Sequence, residues 1–273
     1  MQGSGDGGEG GDGVTQKFET VRLQTIEGVA WLEFARPPVN AFTRQMVEET
    51  FAAMKQALDD PQSRVLVIAS GVEKYFSAGA DLTVFAAMSA VDMRAWTELC
   101  HDVARLLRNS PKPLLAAING TAVGGGLEMT LHCDLRFAAD NARLGQPEIA
   151  IAFIPPIATT QALARLIGRP RAIRYLYEGR MVGAAEALEW GLVDELVPAS
   201  ELRARVQAYA EELATKPRQA LAAIRRTITL GGGMSFEEGM TLELETASAL
   251  AATEDFREGV RAFLEKRAPR WRQ

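Results

Sequence analysis

Two glutamates in this sequence each follow a stretch nearly bare of side chains, and that pairing sets the chemistry open to the chain. Glu128 comes just after Gly124-Gly125-Gly126, and Glu148 closes Gly145-Gln146-Pro147-Glu148. A pair of carboxyl groups divides acid and base work when their surroundings separate their pKa values. If they are close, like charge opposes ionising both. Phe153 and Ile154 beside Glu148 predict a raised pKa there, whereas a helix start at Glu128 predicts a lowered one. For any single glutamate, a surface or capping role is the commoner outcome. The turns add backbone donors. Ala80, after Gly79, and Gly125 each offer one N–H, and two such groups on one carbonyl oxygen stabilise an enolate or a tetrahedral oxyanion.

The elements that hold these residues are legible as hydrophobic pattern. The apolar run 114–118 reads as a buried strand leading into the glycines, and residues 127–131 suit a helix behind them. A matching arrangement lies upstream, where the β-branched run 65–69 reads as a buried parallel strand and precedes the small-residue turn Phe76-Ser77-Ala78-Gly79-Ala80-Asp81-Leu82. These two strand–turn pairs hint at repeated β-β-α units. Residues 18–25 and 28–35 read as a hairpin about Glu27-Gly28. Met46, Val47, Thr50, Phe51, Met54 and Leu58 recur at helical spacing and stop at Asp60-Pro61; a further helix spans 90–108, and 135–139 is another strand. Thr159-Thr160 is positioned to cap a helix. Residues 171–196 read as two short helices around Gly179 and Gly191.

Alternating strands and helices predict an α/β core over 14–198 with a mainly parallel sheet. Beyond Pro198 the pattern is all helical, at about 202–213, 216–230, 235–251 and 254–267, with a hinge at Gly231-Gly232-Gly233 and no sheet left to cover. This C-terminal region, 199–273, is expected to pack on the core or on another subunit. Residues 1–13, mostly glycine, are expected to be a disordered tail.

Composition narrows the function further. The 273 residues, 47% hydrophobic and 24% charged, suit a soluble globular protein with a real core. A net charge of −5 argues against general nucleic-acid binding. Cys100 and Cys133 lack CxxC spacing and read as free thiols of a reducing, cytoplasmic compartment. His101 and His132 share no metal-ligand spacing, so no metal site is expected. No apolar run reaches membrane-spanning length, and no signal peptide is visible. No Gly-x-Gly-x-x-Gly fingerprint opens a helix after a strand, and there is no Walker loop or Gly-x-Ser-x-Gly elbow, which disfavours dinucleotide sites, nucleotide triphosphatases and α/β-hydrolases.

Taken together, Arg36-Pro37 with Asn40-Ala41, the turn 76–82, Gly120 to Glu128, Cys133-Asp134, Gly145-Gln146-Pro147-Glu148, Ala185 to Pro198 and Ala262-Phe263-Leu264-Glu265-Lys266-Arg267 resemble the crotonase superfamily, the enoyl-CoA hydratase/isomerase family. The resemblance runs from about residue 18 to 267. It implies a crotonase-like spiral of β-β-α units with a C-terminal helical trimerisation region, assembled as a homotrimer or a dimer of trimers. It implies an acyl-CoA thioester as substrate, with coenzyme A part of that substrate and no separate cofactor, and no nucleic-acid or membrane partner. Ala80 and Gly125 would be the oxyanion-hole donors. Glu128 and Glu148 match the catalytic pair that adds water across the α,β double bond. Ala78, Asp81, Leu82, Gly124 and Pro156 fall at substrate positions, Ala78 and Leu82 on the adenine side. Phe263 and Lys266 match tail residues that reach coenzyme A, often from a neighbouring subunit.

One stretch departs from the hydratase pattern. Hydratases follow the second glutamate with Ile-Pro-Gly-Ala-Gly-Gly, whose first glycine offers an N–H near the catalytic water. Here the stretch is Ile154-Pro155-Pro156-Ile157-Ala158-Thr159, and Pro156 has no N–H. The resemblance therefore leaves open a double-bond isomerase using Glu148 as proton shuttle, a hydratase of cyclic dienoyl thioesters, and a non-catalytic binding protein of the same fold.

Overall fold

The computed structural model describes residues 18–272, so the glycine-rich tail expected at 1–13 lies outside the described residues. The chain opens with the expected antiparallel hairpin, β1 (Val21–Ile26) and β2 (Val29–Phe34). Both turn residues, Glu27 and Gly28, have positive φ (48° and 77°), the backbone that matches the twist of a tight hairpin. Helix α1 (Arg44–Asp59) follows, its first turn capped by the Thr43 hydroxyl, which accepts the Met46 N–H.

Three similar units come next. In each, a first strand joins a large sheet and a second, shorter strand turns away into a small one: β3 (Val65–Ser70) and β4 (Tyr75–Ser77), β5 (Leu114–Ile118) and β6 (Thr121–Val123), β7 (Leu135–Ala139) and β8 (Arg143–Gly145). With β9 (Met181–Gly183) and β10 (Glu195–Val197), the sheets run β1-β2-β3-β5-β7-β10 and β4-β6-β8-β9. From β2 onward the large sheet is parallel, which is why its strands are continuous apolar runs; every residue of β5 is buried. Helices α2 (Leu82–Phe85) and α3 (Ala90–Arg108) follow β4, and α4 (Gly125–Thr130) follows β6. A 3₁₀ turn at Glu148–Ile151, α5 (Thr159–Leu166) and α6 (Arg169–Glu178) follow β8, and α7 (Ala184–Trp190) lies between β9 and β10. The architecture is the expected spiral of β-β-α units.

Three local expectations need correction. Residues 171–196 contain the short strands β9 and β10 as well as two helices; three residues beside a glycine are too few to show a period. Thr159 does not cap α5 but is its first residue, and the cap is Ala158 in the left-handed region (φ 52°). The C-terminal region does have sheet to cover. Helix α8 (Leu202–Ala214) packs on β2, β3, β5 and β7 and buries Leu202, Val206 and Ala210.

Beyond α8, helices α9 (Arg218–Gly231), α10 (Phe236–Ala251) and α11 (Glu254–Leu264) form a separate layer in which α9 packs on α10. Buried Arg225 anchors α9 to the core. Its guanidinium donates to Asp134 (3.0 Å) and to the carbonyls of Leu107, Arg108 and Ser110, at and just beyond the C-terminal end of α3, where a cation is favoured.

Candidate active site

The turn at residues 78–80 is clamped from beneath. Asn40, itself at φ 51°, donates to the Phe76 carbonyl (3.0 Å) and the Ser70 hydroxyl (2.8 Å). The Ser77 hydroxyl donates to the Asn40 carbonyl (2.8 Å) and accepts the Gly79 N–H (3.0 Å). Phe42 then pairs with the turn as an isolated parallel bridge, giving its N–H to Gly79 and accepting the Asp81 N–H. In a parallel bridge the residue between those two bonds turns its own N–H the other way. Among the described residues, no acceptor takes the Ala80 N–H.

The glycine turn is held against this one. Gly124, at φ 51°, precedes α4, and Gly125 is the first residue of that helix, so its N–H has no acceptor within the helix. A Cβ on Gly126 would lie 2.3 Å from the Ser77 Cβ, and one on Gly79 would lie 3.2 Å from the Val123 carbonyl. The two turns touch backbone to backbone, and side chains there would force them apart.

Glu128 and Glu148 face the cavity between these turns. Glu128 is completely buried; its Oε2 accepts the Ile157 N–H and the Thr159 hydroxyl, both at 2.7 Å, while its Oε1 has no partner. Burial, with repulsion from Glu148, pushes its pKa up to about 8, against the expectation that the helix start would lower it. Desolvation wins because a six-residue helix has a small dipole while the carboxyl has lost all its water. The pKa of Glu148 rises to about 7, as expected, through burial. Of the two predicted wall residues, Phe153 lines the cavity, while Ile154 is 65% exposed. Buried Oε2 of Glu148 also has no partner.

The cavity measures about 120 Å³ and is lined by Ala78, Ala80, Leu82, Gly124, Gly125, Glu128, Glu148 and Pro156 among the expected site residues. Its apolar wall includes Phe85, Trp96 and Phe153; Phe85 sits edge-to-face with Trp96 (5.2 Å) and Phe153 (6.0 Å). Three expected residues stand elsewhere. Asp81 caps α2 through Thr83 and pairs with Arg36 (3.2 Å), so its carboxylate is already engaged. Phe263, 83% exposed, lies at the end of α11, and Lys266 follows that helix; neither lines the cavity. Residues missed from sequence are supporting ones: Asn40, Ser77, Thr159 and His132. Buried His132 contacts the Ile157 carbonyl through Nε2 (2.7 Å), and burial lowers its pKa to about 4, leaving the ring neutral and Nε2 the donor. Among the described residues no three His, Cys, Asp or Glu side chains are grouped to hold a metal, and no helix is long and apolar enough to cross a membrane.

The spiral of β-β-α units, with both carboxyls and both glycine-bearing turns lining one cavity, defines a crotonase-type fold. Residues 24–273 match the family model for enoyl-CoA hydratase/isomerase, and the chain belongs to that family. It is 35% identical over 251 residues to a crotonyl-CoA hydratase of Syntrophomonas wolfei, covering 92% of this chain and 96% of that one. It is 35% identical over 255 residues to an (E)-benzylidenesuccinyl-CoA hydratase of Thauera aromatica, covering 92% and 98%. The crystal structure of an enoyl-CoA hydratase from Bacillus anthracis superposes with a TM-score of 0.88 at 33% identity, covering 93% of this chain and 99% of that one.

Proposed function

We propose that this protein is an enoyl-CoA hydratase acting on short acyl chains, with Ala80 and Gly125 as the oxyanion hole and Glu128 and Glu148 as the acid–base pair. The observation that supports this reading is one cavity lined by two glutamates, each with a buried oxygen lacking a partner, and by Ala80 and Gly125, whose N–H groups no acceptor takes among the described residues. The thioester oxygen accepts both N–H groups. Water adds its oxygen to the β-carbon as one carboxylate takes its proton; the double-bond electrons move toward the thioester oxygen as an enolate, which then takes a proton at the α-carbon from the other carboxyl. With pKa values near 8 and 7, the pair shares a single proton most often between about pH 7 and 8, the form this division of labour needs.

Pro156 supplies no N–H, and the neighbouring Ile157 N–H is already given to Glu128, so neither adds a donor to the two carboxyls that hold the water. The size of the cavity supports a short acyl group, since a cavity of roughly 150 Å³ accommodates benzene. The experiment is loss of enoyl-thioester absorbance across a panel from four to ten carbons, run in parallel in deuterated water. Hydration fastest at four carbons is expected; α-deuterium exchange without hydration would instead favour the isomerase.

The same reading takes the protein as a homotrimer or a dimer of trimers. Ile228 of α9, Leu244 of α10 and Phe263 and Leu264 of α11 are each at least 68% exposed, an apolar surface that further copies would cover. Phe263 and Lys266 would then reach the coenzyme A of a neighbouring subunit. Light scattering that gives a monomer would end this part of the reading.

A further inference from the structure

Thr159 stands where the hydratase stretch Ile-Pro-Gly-Ala-Gly-Gly carries its last glycine, so its side chain is an addition of this chain. It is fully buried, and its hydroxyl does not serve the helix it begins. Instead it donates to Glu128 Oε2 at 2.7 Å, beside the Ile157 N–H at the same distance. That backbone donor is itself braced, because His132 holds the Ile157 carbonyl and Ala158 takes the left-handed turn that brings Thr159 round. Oε2 thus receives two donors and has no room for a proton of its own. Oε1 lies buried without a partner in a residue that lines the cavity.

We propose that Thr159 is a positioning residue for Glu128: its hydroxyl, with the Ile157 N–H, occupies Oε2 and leaves Oε1 as the single oxygen through which this acid takes and gives its proton. The inference deepens the hydratase reading by specifying the geometry of one of its acids. It also has a physical logic of its own. The hydroxyl favours the ionised carboxylate, offsetting part of the burial that opposes ionisation. The titratable groups facing Glu128 are few: Glu148 from the 3₁₀ turn, the Cys100 thiol on α3, which burial keeps protonated, and neutral His132 behind Ile157.

The test follows Glu128 itself rather than turnover. In a Glu148→Gln background, the carboxyl C=O infrared band of Glu128 is titrated with and without Thr159→Val, which keeps shape and removes the hydroxyl. The expected result is a midpoint moved to higher pH by about one pH unit, the size of a lost charge-assisted hydrogen bond. Thr159→Ser should restore it. In the otherwise unaltered enzyme, Thr159→Val should lower kcat at least tenfold with KM nearly unchanged and move the same limb of the pH profile. If the valine variant does not fold, Thr159→Ser against Thr159→Ala isolates the hydroxyl equally well. A midpoint that does not move on removing the hydroxyl, or a serine variant that titrates like valine or alanine, overturns the proposal. Absence of hydration by the unaltered enzyme would overturn the hydratase reading and leave the titration standing.

Discussion

Gly124 lies directly against Glu148: a Cβ built on the glycine would sit 2.7 Å from the Glu148 Oε1. The glycine also holds φ 51° with ψ −130°, outside the left-handed helical region and sparsely populated by residues with a side chain, at a cost of roughly 1–3 kcal/mol. Gly124→Ala therefore displaces the carboxyl as well as straining the turn. Since a displacement of about 1 Å at reacting groups costs roughly a hundredfold, kcat/KM should fall about that far, and the melting temperature should drop by about 2–12 °C. Steady-state kinetics beside a thermal melt checks this; activity within threefold of the unaltered enzyme would contradict the contact.

The shared proton has a pH signature. Glu148, with pKa near 7, ionises while Glu128 is still neutral, so burial, offset in part by its own backbone N–H, sets its value; Glu128 then ionises against that new charge, near 8. The singly protonated pair is most populated between these values. The profile of kcat/KM should be bell-shaped with its maximum between about pH 7 and 8. A profile flat from pH 5 to 9 would remove the pair from the chemistry.

Much of this candidate site is legible in the sequence because its parts are local. The apolar runs behind the turns, the glycines and the two glutamates each carry a signal within ten residues, and the motifs they form resemble one superfamily. What escaped depends on contacts across long separations. Thr159 reads as a cap because threonine before a helix usually is one, and only the fold brings Glu128, 31 residues earlier, under its hydroxyl. The lowered pKa expected for Glu128 failed likewise, since the helix start is visible in sequence and total burial is not. Helix α8 has no sheet to cover in the local sequence pattern, because the strands it packs on lie far upstream.

Stability carries the same electrostatics with a definite sign. The pKa of Glu128 rises from an ordinary 4.5 to about 8 on folding, so the folded chain holds a proton that the unfolded chain releases. The neutral carboxyl is tolerated in full below about pH 4.5, and that stability is lost as pH rises toward 8. Glu128→Gln removes the dependence. Its melting temperature relative to the unaltered protein should rise between pH 5 and pH 8.5, with inactivity at both. An unchanging difference across that range would mean that the carboxyl is not buried as described.

The aromatic wall of Phe85, Trp96 and Phe153 closes one side of the cavity. Phe85, from the short helix α2, meets both Trp96 and Phe153 edge-to-face, so it joins two elements that have no other aromatic contact with each other among the described residues. Phe85→Ala removes that joint and opens space at the apolar end while leaving the turns and both glutamates untouched. Burying two further methylene groups in the enlarged cavity is worth ~1.6 kcal/mol, or roughly tenfold in relative kcat/KM. The ratio of eight-carbon to four-carbon enoyl thioester turnover should rise by about that factor, with four-carbon turnover little changed. An unchanged ratio would show that the acyl chain leaves the cavity by another side.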